Sequence, residues 1–318
     1  MASSSAAAPT PAPALHSTNA EVFAYSGLTA ATLCWASAFI AGKVALAEMS
    51  PLAVGAWRYA LAAVVLLPFA TRVRVHWGSV PIVPLLVLIV CGGLVYPWLF
   101  LVALDTTSAT NASLLIALNP ALTLLLSPLV GERVDGCRFG GLALALIGAA
   151  TVITHGNPSQ IIRLATNPLN NGDVLALLAA GCWACFNLAS RRVVAVMPPS
   201  VINGLAFGAG SIALFALARG EQPLQQLWAA SPAALESIAV MALLSSVLAG
   251  QFFLSGVRTV GVNRSVVFVY LVPVLTAAMS AALLGEAFHI AQAVGGAAVL
   301  SGVYITTRPQ PLELKAEG

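Results

Sequence analysis

The chain has 318 residues, of which 59% are hydrophobic and 8% charged, with a formal net charge of +3. A soluble domain carries about 25% charged residues, so this composition excludes a soluble enzyme, and the scattered basic residues form no patch for nucleic acid. A lipid bilayer is the solvent that suits it.

Residues 1–21 are rich in Ala, Ser, Pro and Thr and contain no Lys or Arg. They have neither the positive start nor the apolar stretch of a secretory signal, so a disordered cytoplasmic tail is expected there. Ten apolar segments follow, at about 22–46, 51–71, 80–104, 108–130, 138–154, 173–194, 198–218, 232–257, 261–284 and 287–306. A helix needs roughly 20 such residues to cross hydrocarbon. The predicted fold is an all-α membrane protein with ten transmembrane helices. Continuous apolar runs, rather than alternating ones, disfavour a transmembrane barrel. The linkers are too short for an ATPase domain and no G-x-x-x-x-G-K-[ST] loop occurs, which excludes a primary pump acting alone. Residues 308–318 read as a polar cytoplasmic tail.

Lys and Arg divide unevenly between the two sides that ten crossings define. The side of the termini holds Arg72, Arg74, Arg133, Arg138, Arg191, Arg192, Arg258, Arg264, Arg308 and Lys315. The other holds Lys43, Arg163 and Arg219. Positive residues stay on the cytoplasmic side, so both termini are expected in the cytoplasm, in a cell (inner) membrane.

The order of certain residues repeats. Cys34-Trp35-Ala36 recurs as Cys182-Trp183-Ala184, Lys43 matches Arg191, and Pro51 matches Pro199. Further on, Asn111 matches Asn263, Pro120 matches Pro273, Gly131-Glu132 matches Gly285-Glu286, Gly141 matches Gly295, and Gly148 matches Gly302. The domains read as a five-helix repeat over 22–154, a linker over 155–172, and a second five-helix repeat over 173–307. Five spans is an odd number, so the second repeat enters the membrane the other way up. Inverted repeats around a central cavity are a common construction in secondary transporters.

These residues resemble the ten-helix exporter branch of the drug/metabolite transporter superfamily, whose halves are called EamA domains. The carriers are Trp35 through Lys43, Trp57-Arg58-Tyr59-Ala60, Asn119-Pro120 and Gly131-Glu132-Arg133, with Trp183, Pro273 and Gly285-Glu286 in the second half. The resemblance covers about 22–307. It implies a basket-like bundle around a central cavity, and export of amino acids, related metabolites or drugs. The second half departs from the pattern where Arg58 aligns with Ala206.

The candidate substrate-binding residues are Trp35, Arg58, Tyr96, Trp98, Asn119, Trp183, Asn187, Gln251 and Tyr270. Pro120 and Pro273 sit at matching mid-segment positions, where each removes a backbone hydrogen bond and frees a carbonyl, so both are candidate helix breaks for gating. Asn119 and Tyr270 lie beside them. Trp35 and Trp183 are mid-segment, away from the interfacial belts, and an indole N–H in hydrocarbon wants a partner. Core packing is the alternative. Tyr96 and Trp98 flank Pro97 and fit the same wall. Asn187 and Gln251 are uncharged groups at membrane depth that either meet a ligand or join helices. Arg58 lies seven residues into its segment, about 10 Å deep at helical rise. It either clamps a substrate carboxylate, snorkels outward, or pairs with Glu48 or Asp105.

Lys43, Glu132, Arg191 and Glu286 are read as structural charges at segment ends. No catalytic residue, cofactor or metal is expected, since His16, His76, His155 and His289 fall in tails or loops. The five cysteines, Cys182-x-x-Cys185 included, read as small packing residues. Partners are a small-molecule substrate and the lipid bilayer, with no nucleic acid. Gly204-x-x-x-Gly208 leaves a homodimer open. The expected function is export of small amino-acid-like metabolites by alternating access. The alternatives are a multidrug or aromatic-cation exporter, or a membrane scaffold or receptor that transports nothing.

Overall fold

The computed structural model describes residues 16–130, 136–154, 156–157 and 171–307. All regular structure among them is helical. Eight helices are long and apolar enough to cross a membrane: α1 (Asn19–Leu46), α2 (Pro51–Ala70), α3 (Ile82–Thr106), α4 (Ala109–Leu129), α6 (Gly172–Val193), α7 (Pro199–Glu221), α8 (Pro232–Val260) and α9 (Val266–Leu283). Two shorter apolar helices, α5 (Phe139–Ile153) and α10 (Ile290–Ile305), complete the order. They lie within helices Gly136–Ile153 and Ile290–Thr307, of 18 residues each, which at 1.5 Å per residue reach about 27 Å, against a hydrocarbon core of about 30 Å. Ten apolar helices are therefore present among the described residues, and eight of them carry an apolar stretch of at least 18 residues.

Helix starts follow local chemistry. Ser50, Ser108, Asn171 and Ser231 each accept a backbone N–H of the first turn, and Pro follows directly at 51 and 232. Such side chains satisfy donors that a helix leaves unpaired, and Pro costs nothing at N1.

Helices of one repeat pack on helices of the other. Gly27 and Gly256 bring α1 against α8 through Phe252 and Leu28, and Gly92 brings α3 against α6 through Phe186. Exchanging the repeats turns the first contact into the second. Helices α5 and α10 meet backbone to backbone. A Cβ on Gly141 would lie 2.7 Å from the Gly302 carbonyl oxygen, and one on Gly148 would lie 2.6 Å from that of Gly295. The pairing of 141 with 302 and 148 with 295 makes the two helices antiparallel. Gly204 and Gly208 face Leu66, Leu67, Ala70 and Ala63 of α2, so that glycine pair serves packing within the chain.

Both repeats also contain a stretch of π-helix at the matching place, Leu88–Val95 in α3 and Met241–Leu248 in α8. Such widened turns are rare and gather at functional sites. The sequence reading did not anticipate them.

Candidate functional site

The two π-helical stretches face one cavity, with an empty volume of about 890 Å³ including solvent at its opening. Both repeats line it. Trp35, Arg58, Tyr96 and Asn119 come from the first and Trp183 from the second, so five of the nine expected residues converge there.

Arg58 is 5% exposed. Its Nε donates to Ser246 Oγ at 2.8 Å and its Nη2 to Ser245 Oγ at 3.2 Å. Both serines lie on the π-helical stretch of α8. The guanidinium also sits over the rings of Tyr59 and Phe100, 5.4 and 5.8 Å from their centroids. Cation–π contact and charged hydrogen bonds offset part of the cost of burying a charge at this depth. Nη1 has no hydrogen-bond partner among the described residues. The structure thus gives neither the pairing with Glu48 nor that with Asp105. The residues beside Arg58 anchor the same helix: Trp57 Nε1 donates to the Pro223 carbonyl, and the Tyr59 hydroxyl donates to the Gly92 carbonyl on the widened turn of α3.

The aromatic wall joins the repeats directly. Trp35 and Trp183 meet edge to face, with centroids 6.0 Å apart. Tyr96 lies 4.7 Å from Trp183, Phe186 stacks on Trp183, and Phe253 closes on Trp35. Edge-to-face and offset contacts of this kind fix ring orientation.

Helix α4 breaks at 117–118 and restarts at Asn119, with Pro120 in its new first turn. Pro120 has no N–H for the Ile116 carbonyl, four residues back. Asn119 Nδ2 supplies that bond, at 2.9 Å. Asn119 Oδ1 accepts from Asn187 Nδ2, which also reaches Thr123 Oγ1. In α9 the chain is 3-10 helical over Val266–Tyr270, and α-helix resumes at Leu271, two residues before Pro273.

Four expected residues stand elsewhere. Trp98 is 42% exposed on the outer face, because one residue of helix separates it by about 100° from Pro97, which is buried. Asn187 is fully buried as the partner of Asn119 and Thr123, joining helices. Tyr270 donates its hydroxyl to the Val303 carbonyl. Gln251 lies outside the cavity lining, one residue from Gly250, which does line it.

The structural charges divide. Glu286 accepts from the backbone N–H groups of Ala109 and Thr110 and from Ser280, so it caps α4 of the other repeat. Lys43 is half-buried, within electrostatic reach of Glu286 and Asp105. Arg191 is half-buried at the end of α6. Glu132 lies outside the described residues. Near Glu286 a polar cluster ties the repeats together: Thr107 and Asn111 donate to the buried Asp173 carboxylate, and Gln292 donates to Asn111. Outside the membrane, Glu48 accepts from the Ser231 hydroxyl and amide, which hold its carboxyl below the usual range.

Sequence reasoning missed Tyr59, Phe100, Asn203, Ser245 and Ser246 in the cavity. Asn203 carried the same signal as Asn187, an amide within an apolar segment. Ser245 and Ser246 carried none, since serine is ordinary in such helices.

A sequence profile described as the EamA-like transporter family matches residues 22–154 and 170–308. The chain is 28% identical over 277 residues to the "Uncharacterized transporter YyaM" of Bacillus subtilis (strain 168), covering 83% of this chain and 87% of that protein. It is 26% identical over 283 residues to a "Probable amino-acid metabolite efflux pump" of Salmonella typhimurium, covering 85% and 90%. It is 27% identical over 284 residues to a "Probable terminal-alkyne amino-acid exporter" of Streptantibioticus cattleyicolor, covering 88% and 92%. A crystal structure with 19% sequence identity matches with a TM-score of 0.60, over 91% of this chain and 96% of that one, a likeness of fold.

Proposed function

The chain belongs to the EamA-like transporter family, and on that premise we propose that it is a secondary transporter of the inner membrane that exports small amino-acid-like metabolites by alternating access. The observation that carries this reading is the cavity itself. Both repeats line it, it is bounded by the break in α4 and the widened turns of α3 and α8, and a buried arginine faces it. Broken helices at a cavity between repeats are the arrangement that rocking-type transport uses. The printed names of the Salmonella and Streptantibioticus relatives support the substrate class.

The same reading takes α5 and α10 as spans, giving ten crossings in two repeats of opposite orientation with both termini in the cytoplasm. The antiparallel glycine contact between these two counterpart helices supports the inversion. An export reading for aromatic cations finds rings in the cavity but meets the positive charge of Arg58. No Asp or Glu stands among the described residues that line the cavity.

The test is flux. Purified protein in liposomes is expected to move amino acids or their derivatives down a gradient, and absence of flux for every such compound would refute the reading. Reporter fusions at each terminus are expected to report the cytoplasm.

A further inference from the structure

The described lining of the cavity carries a single sign of charge, that of Arg58. Two buried side-chain atoms in its lining lack a partner among the described residues, Arg58 Nη1 and Asn203 Nδ2, and both are donors. Arg58 is 5% exposed and Asn203 3%. A buried donor left unmade costs about 1–3 kcal/mol, and more when charged. A ligand that brings acceptors removes that cost.

The serines leave part of the guanidinium unused. Ser246 takes the Nε hydrogen and Ser245 one Nη2 hydrogen. Both Nη1 hydrogens and the second on Nη2 remain, and two parallel N–H groups at that end match the two oxygens of a carboxylate. Ser245 and Ser246 hold the fork in one orientation, so little freedom is lost on binding. Apart from Ser113 and Asn119 the remaining lining is aromatic or apolar, with Trp35, Trp183 and Phe253 forming the wall. An ammonium group brought into this space meets Arg58 as a like charge and finds no carboxylate in the described lining. Burying a charge without a partner is expensive.

Resting on the transporter reading above, we infer that the site selects anionic monocarboxylates with an apolar or aromatic body, in which the amino group is acylated or absent. The carboxylate binds Arg58, Asn203 donates to a carboxylate or acyl oxygen, and the body lies against the tryptophans. A free amino acid binds more weakly than its N-acyl or deaminated counterpart.

Equilibrium binding to the purified full-length protein in lipid nanodiscs tests this with four probes of one skeleton: 3-phenylpropanoate, N-acetylphenylalanine, phenylalanine and phenethylamine. Each of the first two is expected to bind at least tenfold tighter than phenylalanine, with phenethylamine weakest. Arg58→Gln is expected to weaken the two anions at least tenfold and to remove the preference. The wild-type series stands without the variant, so a misfolded Arg58→Gln leaves the inference open to refutation. If phenylalanine or phenethylamine binds as tightly as the anions, the inference falls while the transporter reading stands. If no probe binds and liposomes show no flux, both fall.

Discussion

Gly148 of α5 and Gly295 of α10 lie so close that a Cβ on the first would sit 2.6 Å from the carbonyl oxygen of the second, and a Cβ on Gly295 would sit 2.8 Å from the carbonyl of Gly148. The contact is reciprocal and joins the last helix of one repeat to the last of the other. Small residues allow such approach in a membrane, where packing rather than water drives association. Gly148→Leu is expected to cost at least about 1–3 kcal/mol, the usual cost of overpacking, since backbone must move. Gly140→Ala, whose new Cβ would meet nothing within 4 Å, is expected to be neutral or slightly stabilising. Thermal unfolding in detergent compares them, and equal midpoints would contradict the close approach.

At the break in α4, Asn119 and Asn187 form a bond between repeats while Asn119 also satisfies the Ile116 carbonyl. Asn119→Leu leaves the Ile116 carbonyl without its side-chain donor and takes one of two acceptors from the Asn187 amide, which keeps Thr123 Oγ1, an expected loss of about 1–3 kcal/mol. Asn187→Leu removes the bond to Asn119 Oδ1 and the one to Thr123 Oγ1, and leaves the Ile116 bond in place. The double variant is expected to be more stable than the sum of the two losses predicts, by about 0.5 kcal/mol or more, as for residues in direct contact. Additive losses in chemical denaturation would argue that the amides do not meet.

Glu286 closes the first turn of α4 from the other repeat. Its carboxylate also lies at the positive end of that helix. Glu286→Ala is expected to destabilise by about 1–2 kcal/mol, the range for losing a helix cap, and to speed hydrogen exchange at Ala109 and Thr110. Unchanged exchange at these two amides would exclude the cap.

Glu48 and Ser231 tie the loop after α1 to the start of α8. The bonds lower the carboxyl's pKa, the serine hydroxyl being the larger cause and the backbone amide the second. A lowered folded-state pKa adds stability above the unfolded value, about 4.3 for glutamate, and loses it as pH falls through the folded value. Ser231→Ala is expected to raise the Glu48 pKa toward that unfolded value without reaching it, because the amide still donates. NMR titration of the labelled carboxyl reads this directly, and an unmoved midpoint would rule the hydroxyl out as the cause.

The sequence alone determined the solvent, because 8% charged residues cannot cover a soluble surface. It determined the repeat, because Trp35 and Trp183 or Pro120 and Pro273 recur in one order that composition does not generate. It also located the break in α4, since proline lacks the N–H that the Ile116 carbonyl needs. It could not say which way a polar residue faces. A helix apolar all round carries no stripe to mark its inner side, and lipid tolerates the same side chains as the core. So Tyr96 and Trp98, two residues apart, read alike, yet one lines the cavity and the other is exposed. Only the tertiary structure brought Ser246 to Arg58 across 188 residues, set residues of two widened turns around one cavity, and left Arg58 Nη1 buried without a partner among the described residues.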